Sequence, residues 1–348
     1  MTAIATRLLN IRANAPVDRW EVIASNYGAY NCFRDQTNSP TGIISDDLRA
    51  KALAAYDTTL SIPVLEKEAF TITNVSQPVT IAGDPGTSAL YNVTFIDYYF
   101  GFRSFPTTYH NNEITEDREF ARKLKGFETA LMKALEAAAL TALETAKTQV
   151  LTDNLGGRYT LTGNIITAPL AEQEYVLGDS GVLFAGNDMF SELDIVGNNS
   201  FNSMVRTQLK ENGAVQAVDK NYQWQDKTMY FSNSLTNPAD VKATFFGIQK
   251  DCIGFLQQFA PDCVAGSTTR SGYEWDIETL PMSGLQIGVM TYDDAIDGSA
   301  VQGAATAGMT ATKMIAQGFH FRGAFLTPYN SAVATIASPI AKFTVATT

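Results

Sequence analysis

The chain has 348 residues, 45% of them hydrophobic and 18% charged, which places it in the ordinary globular class and excludes a disordered or fibrous protein. Its 36 Asp and Glu against 25 Lys and Arg, a formal charge of -11, exclude a protein whose main work is gripping nucleic acid through a broad basic face. No run of Lys or Arg occurs, so any basic patch has to be local.

Three scattered cysteines, Cys32, Cys252 and Cys263, and two histidines are too few for a disulfide framework or a four-ligand zinc site. The thiols are expected to be free and buried in a reducing compartment, and neither a metal nor a cofactor is expected. No signal-peptide core and no stretch of about 18 apolar residues appears, so synthesis in the cytoplasm and no membrane partner are expected. The length favours about two domains over one.

Residues 1–61 read as an arm of short amphipathic pieces whose apolar side chains would find partners elsewhere. Within it, Ser45 caps a short helix from Asp46 to Tyr56, with Asp46 and Asp47 in the first turn. Residues 62–106 change character. "AFTITNVSQPVTIAG" and "ALYNVTFIDYYFGFRSF", separated by the turn-forming "GDPGTS", alternate and are rich in β-branched and aromatic residues. They predict a long two-stranded hairpin with its tip at Asp84, Pro85, Gly86 and Thr87. At about 3.3 Å per residue each arm would reach roughly 45 Å.

"TEDREFARKLKGFETALMKALEAAALTALETAKTQV", Thr115 to Val150, contains no proline and one glycine, Gly126. Thr115 can cap it, Glu116, Asp117 and Glu119 complement the helix dipole at its start, and Lys147 does so at its end. Phe120, Leu124, Phe127, Leu131 and Leu135, continued by Ala138, Ala142 and Ala146, recur at spacings of three and four and form one apolar stripe. At 1.5 Å per residue the rod is on the order of 50 Å long. The stripe fades to alanine, so another backbone is expected to approach closely there. A helical bundle would need partner helices of similar length, and no other segment supplies one.

Further along, "YTLTGNIITAPL" and "GVLFAG" are short apolar runs. A helix is expected over "SFNSMVRTQLKENG", with Ser200 as its cap and Gly213 as its stop. A strand pair follows in "VQAVDKNYQWQDKTMYFSN", then a strand-to-helix unit in "ATFFGIQKDCIGFLQQFAPDC" and two sheet strands in "YEWDIETLPMSGLQIGVMTYDDA". "DGSAVQGAATAG" reads as a linker, and the remaining tail as further strands.

Few residues are equipped for catalysis. "GDSG", Gly178 to Gly181, matches the nucleophile region of serine proteases, but Ser180 would need a histidine base with an aspartate orienting it. His110 lacks that setting, and His320, between Phe319 and Phe321, fits a strand position. No P-loop, nucleophile elbow or dinucleotide fingerprint occurs, so no catalytic residue is expected. "TYDDAIDGSA" reads as a solvated acidic turn, because Ala295 stands where a calcium loop needs a ligand. The glycosylation sequons at Asn74, Asn92 and Asn198 mean little without a secretory route. "FIDYYFGFRSF" is short of the interleaved Lys and Arg of a base-stacking platform. Such aromatics on a hairpin that leaves its own domain would bury themselves against a neighbouring subunit.

The order of elements resembles the major capsid proteins of tailed bacteriophages, the Hong Kong 97-type fold also used by encapsulin shells. The residues carrying the resemblance are the hairpin Ile62 to Pro106 running directly into the helix Thr115 to Val150, "TFFGIQKDCIGFLQQFAPD", and "YEWDIETLPMSGLQIGVMTYDDA". The fold class it implies is α+β. Its parts would be an N-arm over 1–61, an E-loop hairpin over 62–106, a spine helix over 107–151 and a P domain over 152–190. An A domain over 191–267, P-domain return strands over 268–302 and a C-terminal extension over 303–348 would complete it.

It further implies a structural, self-assembling subunit in hexamers and pentamers of an icosahedral virion shell, with the hairpin tip reaching a neighbour. A portal and a scaffold or decoration protein would be partners, and packaged DNA would be touched weakly and without sequence preference. An acidic shell holds DNA without sticking to it. No lysine lies between Lys67 and Lys123, so the hairpin cannot donate the lysine of the Lys-Asn cross-links of the founding family member, and non-covalent assembly is expected. No long scaffolding segment precedes the arm, which implies a separate scaffold or none. The alternatives are an encapsulin-type nanocompartment and a serine hydrolase around Ser180.

Overall fold

The computed structural model describes residues 27–54, 59–65, 88–104, 116–148, 150–187, 189, 192–211, 222–224, 227–260, 262–263, 268–270, 273–281, 283–296, 312–327 and 337–347. These form a mixed α+β architecture around two large sheets. A seven-stranded sheet has the order β4 (Thr160–Thr162), β5 (Ile165–Ala168), β15 (Ile340–Ala346), β9 (Val241–Gln249), β6 (Leu193–Asn198), β8 (Lys227–Ser232), β7 (Tyr222–Trp224). A six-stranded sheet has the order β10 (Gly254–Gln258), β14 (Thr312–Leu326), β13 (Gln286–Ile296), β12 (Tyr273–Thr279), β11 (Thr268–Arg270), with β3 (Ile96–Ser104) also paired to β14. β1 (Thr59–Leu65) and β2 (Ser88–Thr94) form a separate antiparallel pair.

The helices are α1 (Gly28–Thr37), α2 (Asp46–Ala54), α3 (Glu116–Ala146), α4 (Val176–Ala185) and α5 (Asn199–Glu211). One core cluster joins α1 and α3 to the inner face of the six-stranded sheet through Ile287, Val289, Phe319 and Phe321. The same cluster includes Val196, Phe246, Ile248 and Ile340 of the seven-stranded sheet. The other face of that sheet, with Ile195, Phe245 and Phe343, is covered by Leu177, Phe184 and Phe201 of α4 and α5. The seven-stranded sheet is thus buried on both sides, which is why every residue of β6 is buried.

Long helix α3 has 31 residues, about 46 Å at 1.5 Å per residue. Phe120, Leu124, Phe127, Leu131 and Leu135 are buried, each worth about 1.5–3 kcal/mol of transfer free energy. Phe127 stacks on Phe100 of β3 at 4.9 Å and on Phe319 of β14 at 5.7 Å. Toward its C-terminus the buried line continues through Ala139, Leu143 and Ala146. The expected Ala138 and Ala142 are only partly covered, so the stripe is rotated by one position in its alanine half. There the helix end joins the seven-stranded sheet: Thr148 N–H donates to Ile340 O at 2.7 Å and Ser338 Oγ donates to Ala146 O at 2.6 Å.

Three glutamates at intervals of eight fasten the rod. Glu128 Oε1 accepts from Ser283 N–H and Oγ in the β12–β13 connection at 2.5 and 2.7 Å. Glu136 Oε1 and Oε2 accept from Ala29 and Tyr30 N–H in the first turn of α1 at 3.1 and 2.8 Å. Glu144 Oε2 pairs with Lys342 of β15 at 2.9 Å. Glu128 and Glu136 have no exposed surface. Burial pushes the Glu136 carboxyl above its ordinary value, against the opposing hydrogen bonds from Ser232, Tyr30 and Ala29.

Several expectations are corrected. α1 lies inside the region read as an arm, yet Tyr30, Cys32 and Phe33 are core residues. The aromatic half of the expected hairpin, β3, pairs with β14, where alternate side chains complete the sheet's inner face; the expected first arm, residues 69–83, lies outside the described residues. "GFLQQ" forms strand β10 where a helix was expected, since a short apolar run has no decisive period. "GVLFAG" falls in helix α4, and "TYDDAI" forms the end of β13 instead of a turn.

α5 is capped by Asn198, whose Oδ1 accepts from Phe201 N–H at 2.8 Å, instead of by Ser200. The tail read as an extension supplies β14 and β15, interior strands of the two sheets. β4 and β5 join the sheet of β6 and β9, so the expected division at 190/191 runs through one sheet. The hairpin tip, Asp84 to Thr87, lies outside the described residues.

Leu131→Asp is expected to place an unpaired charge in the core at a cost above about 4 kcal/mol, and circular dichroism should show loss of the folded chain. Glu136→Ala would leave two buried N–H groups unsatisfied, costing about 1–3 kcal/mol each. The sign of the pH effect follows from the raised carboxyl. The folded chain keeps a proton that the unfolded chain releases, so this group removes stability as pH rises above the ordinary carboxylate range. Urea unfolding across pH should show a shallower decline in Glu136→Gln than in the parent.

Candidate functional site

The serine motif is structural. Ser180 lies in α4 with no exposed surface, and its Oγ donates to Leu177 O at 2.8 Å, a bond within the helix. Neighbouring Asp179 accepts from Tyr159 Oη at 2.8 Å. That bond and burial, the larger cause, hold the Tyr159 phenol well above its ordinary value. His320 lies in the other sheet, with Nε2 3.0 Å from Asp97 Oδ1. Ser180, Asp179 and His320 therefore form no relay, and His110 is outside the described residues. The sequon at Asn198 is occupied by helix capping. Cys32 is fully buried and Cys252 partly so, and burial pushes both thiols above their ordinary values, which leaves them poor nucleophiles.

The structure brings together a different group of residues. Strand β3 alternates between two faces: Tyr98, Phe100 and Phe102 point inward with Phe319 and Phe321, so Asp97, Tyr99, Gly101 and Arg103 point outward. The register places Tyr99 opposite His320 and Gly101 opposite Gly318 on β14, and Met290 on β13 opposite Gly318. The rings of Tyr292 of β13 and Tyr273 of β12 lie 4.9 Å apart at a tilt of 34°, with Trp275 6.3 Å from Tyr273. Tyr99, Arg103, Tyr273, Met290, Tyr292 and Gly318 are among the residues that line an open groove of about 620 Å³ on the outer face.

The Tyr99 ring lies over Gly101 and Gly318: a Cβ on Gly101 would come within 2.7 Å of Tyr99 Oη and one on Gly318 within 3.0 Å, so a larger residue at either place would push the tyrosine tip aside. Tyr99 is nevertheless 66% exposed.

The rest of this face is covered by the chain itself. Ile44 just before α2, Ala52 of α2, and Val93 and Phe95 of the β2 region pack on Leu256, Ala324 and Leu326. At the border stands buried Arg322, its Nε 3.4 Å from Asp97 Oδ1 and its guanidinium 5.5 Å above the Phe95 ring. One sheet face is thus dry at one end and open at the other. The groove's lining is mostly aromatic and thioether surface with one charged residue, Arg103, and such a surface suits packing against another protein. The sequence marked the aromatic run, but it could not separate inward from outward residues without β14 beside them.

These features define a mixed α+β protein, organised by one long helix across two sheets, with an open aromatic groove on one sheet face. No protein-family model matches the chain, and no curated protein matches it. Among solved structures, the chain is similar to one from Mycobacterium phage Che8, at 11% identity and a TM-score of 0.48, covering 87% of this chain and 88% of that one. It is similar also to the capsid structure of the cyanophage P-SCSP1u, at 8% identity and a TM-score of 0.48, covering 84% of each. A third likeness is to the capsid of a native GTA particle, at 9% identity and a TM-score of 0.43, covering 88% of this chain and 91% of that one. With TM-scores below 0.5 in all three, the function is read from the chain's own geometry.

Tyr99→Glu tests the contact face. At an exposed position the unfolding free energy should change by no more than about 0.5 kcal/mol, while self-association measured by sedimentation velocity should fall sharply.

Proposed function

We propose that this chain is the major capsid protein of a tailed-phage-type particle, a structural subunit that assembles without covalent cross-links into hexamers and pentamers of an icosahedral shell around duplex DNA. The observation that carries this reading is the rod α3. Its N-terminal half packs on the six-stranded sheet, its C-terminal end is hydrogen-bonded to β15 of the seven-stranded sheet, and buried carboxylates hold it in between. A helix tied in this way makes one stiff unit of two sheets, which is what a repeated wall element requires.

In this reading the seven-stranded sheet with α4 and α5 is the axial domain, and the six-stranded sheet with α3 is the peripheral domain. The pair β1–β2 is the base of the E-loop, whose tip at Asp84, Pro85, Gly86 and Thr87 reaches an adjoining subunit. A portal and a scaffold or decoration protein complete the particle. Non-covalent assembly agrees with the absence of lysine between Lys67 and Lys123. The buried, helix-bonded Ser180 removes the support for a hydrolase.

Electron microscopy of the purified protein, alone and with the products of neighbouring genes, is expected to show closed particles of icosahedral size. Monomers or dimers under every assembly condition would overturn the proposal, and particles filled with protein cargo instead of DNA would move it to the encapsulin class. Ser180→Ala is expected to leave assembly unchanged.

A further inference from the structure

The exposed ridge of α3 carries a charge pattern that its sequence conceals. Residues 116–146 contain six carboxylates, Glu116, Asp117, Glu119, Glu128, Glu136 and Glu144, and five cations, Arg118, Arg122, Lys123, Lys125 and Lys133. Folding separates them. Glu128 and Glu136 are turned inside with no exposed surface, and Glu144 is paired with Lys147 and Lys342. On the solvent side, Arg122, Gly126, Ala130, Lys133, Ala137, Thr141 and Thr145 are all exposed and follow one another at helical spacing. Beside this line stands Lys125, while Lys123 is held over the Phe102 ring at 5.2 Å.

From 119 to 137, the side chains that reach solvent number four cations, Arg122, Lys123, Lys125 and Lys133, against one carboxylate, Glu119. Arg122, 74% exposed, and Lys123 both lean on that carboxylate. The result is a narrow basic ridge on a protein of formal charge -11, with small residues between the cations. A small-residue ridge admits close approach, but a second copy of the same ridge would set cation against cation, so self-pairing is disfavoured. What fits is a rod-like polyanion lying along the helix.

We infer that the exposed ridge of α3, through Arg122, Lys125 and Lys133, contacts the phosphate backbone of double-stranded DNA, without reading its sequence. The inference rests on the shell reading for its partner, since a shell brings packaged duplex against its inner wall. Arg122 and Lys133 are eleven residues apart, about 16 Å along the axis at 1.5 Å per residue, enough to meet several phosphates. Few cations and an acidic remainder make the contact weak and salt-dependent, as a genome that must later leave requires.

The test uses the full-length protein and a fluorescently labelled mixed-sequence duplex of about 20 base pairs, titrated at several salt concentrations. The parent is expected to bind at low salt, with log K falling linearly against log salt at about 0.9 per phosphate neutralised. Lys133→Gln should reduce that slope by about one unit. Arg122→Gln, Lys125→Gln and Lys133→Gln combined should nearly abolish binding while circular dichroism and unfolding midpoint stay those of the parent. Should the triple variant not fold, the single Lys133→Gln slope decides.

No binding by the parent, or an unchanged slope in the variants, would overturn the inference. Binding of poly-glutamate but not duplex would also overturn it, by assigning the ridge to an acidic protein. Particle formation, scored separately by electron microscopy, reports on the shell reading: closed particles that ignore DNA refute the ridge alone.

Discussion

Glu136 sits in the middle of α3 with no exposed surface, and both of its oxygens are spent on the first-turn N–H groups of a helix more than a hundred residues earlier. A carboxylate at that place meets the unsatisfied donors and positive end of the α1 dipole at once. The reciprocal matters as much, since α1 begins at Tyr27 with no side-chain cap of its own. Neither group could be buried without the other, because an unpaired carboxylate or two orphan amides in the core would each cost several kcal/mol.

From that contact the rest of the central packing can be followed outward. Gly28 lets α1 approach strand β8 so closely that a Cβ would lie 2.5 Å from Phe231 O. At the other end of α1, Gln36 donates to Asp194 of β6 at 2.7 Å and accepts from Cys252 and Ile253 N–H in the β9–β10 connection. Thr37 Oγ1 accepts from Phe255 N–H of β10 at 2.6 Å. A ten-residue helix thus fixes the place where the chain leaves one sheet for the other. Glu128, within the first half of α3, and Glu144, near its end, then tie the rod to the two sheets.

The parts visible in the sequence are those whose signals are local. The rod α3 declared itself by thirty-one helix-forming residues with a continuous stripe, and β12 and β13 by their alternation. The parts hidden are those whose reason lies far along the chain. "GAYNCFRDQT" has no capping residue, because its cap is Glu136, so it read as an arm. "FIDYYFGFRS" read as the second arm of a hairpin, because its partner strand begins at Thr312. The contact groove was hidden for the same reason: Tyr99, Met290 and Tyr292 become neighbours only through the register of β3, β14 and β13.

Buried carboxylates also sort charge between surfaces. A helix with nearly equal numbers of acids and bases would present a mixed face to solvent if its glutamates were exposed. Drawing Glu128 and Glu136 inside to hold a loop and a helix terminus leaves cations and small residues outside. The six-stranded sheet packs its inner face on α3, so the aromatic groove and the basic ridge lie on opposite sides of this sheet-and-helix layer. The same interactions that make the layer rigid therefore make it two-sided, one side apolar and shaped for protein, the other small and cationic. In the proposed shell that asymmetry would set each side of the wall against different chemistry.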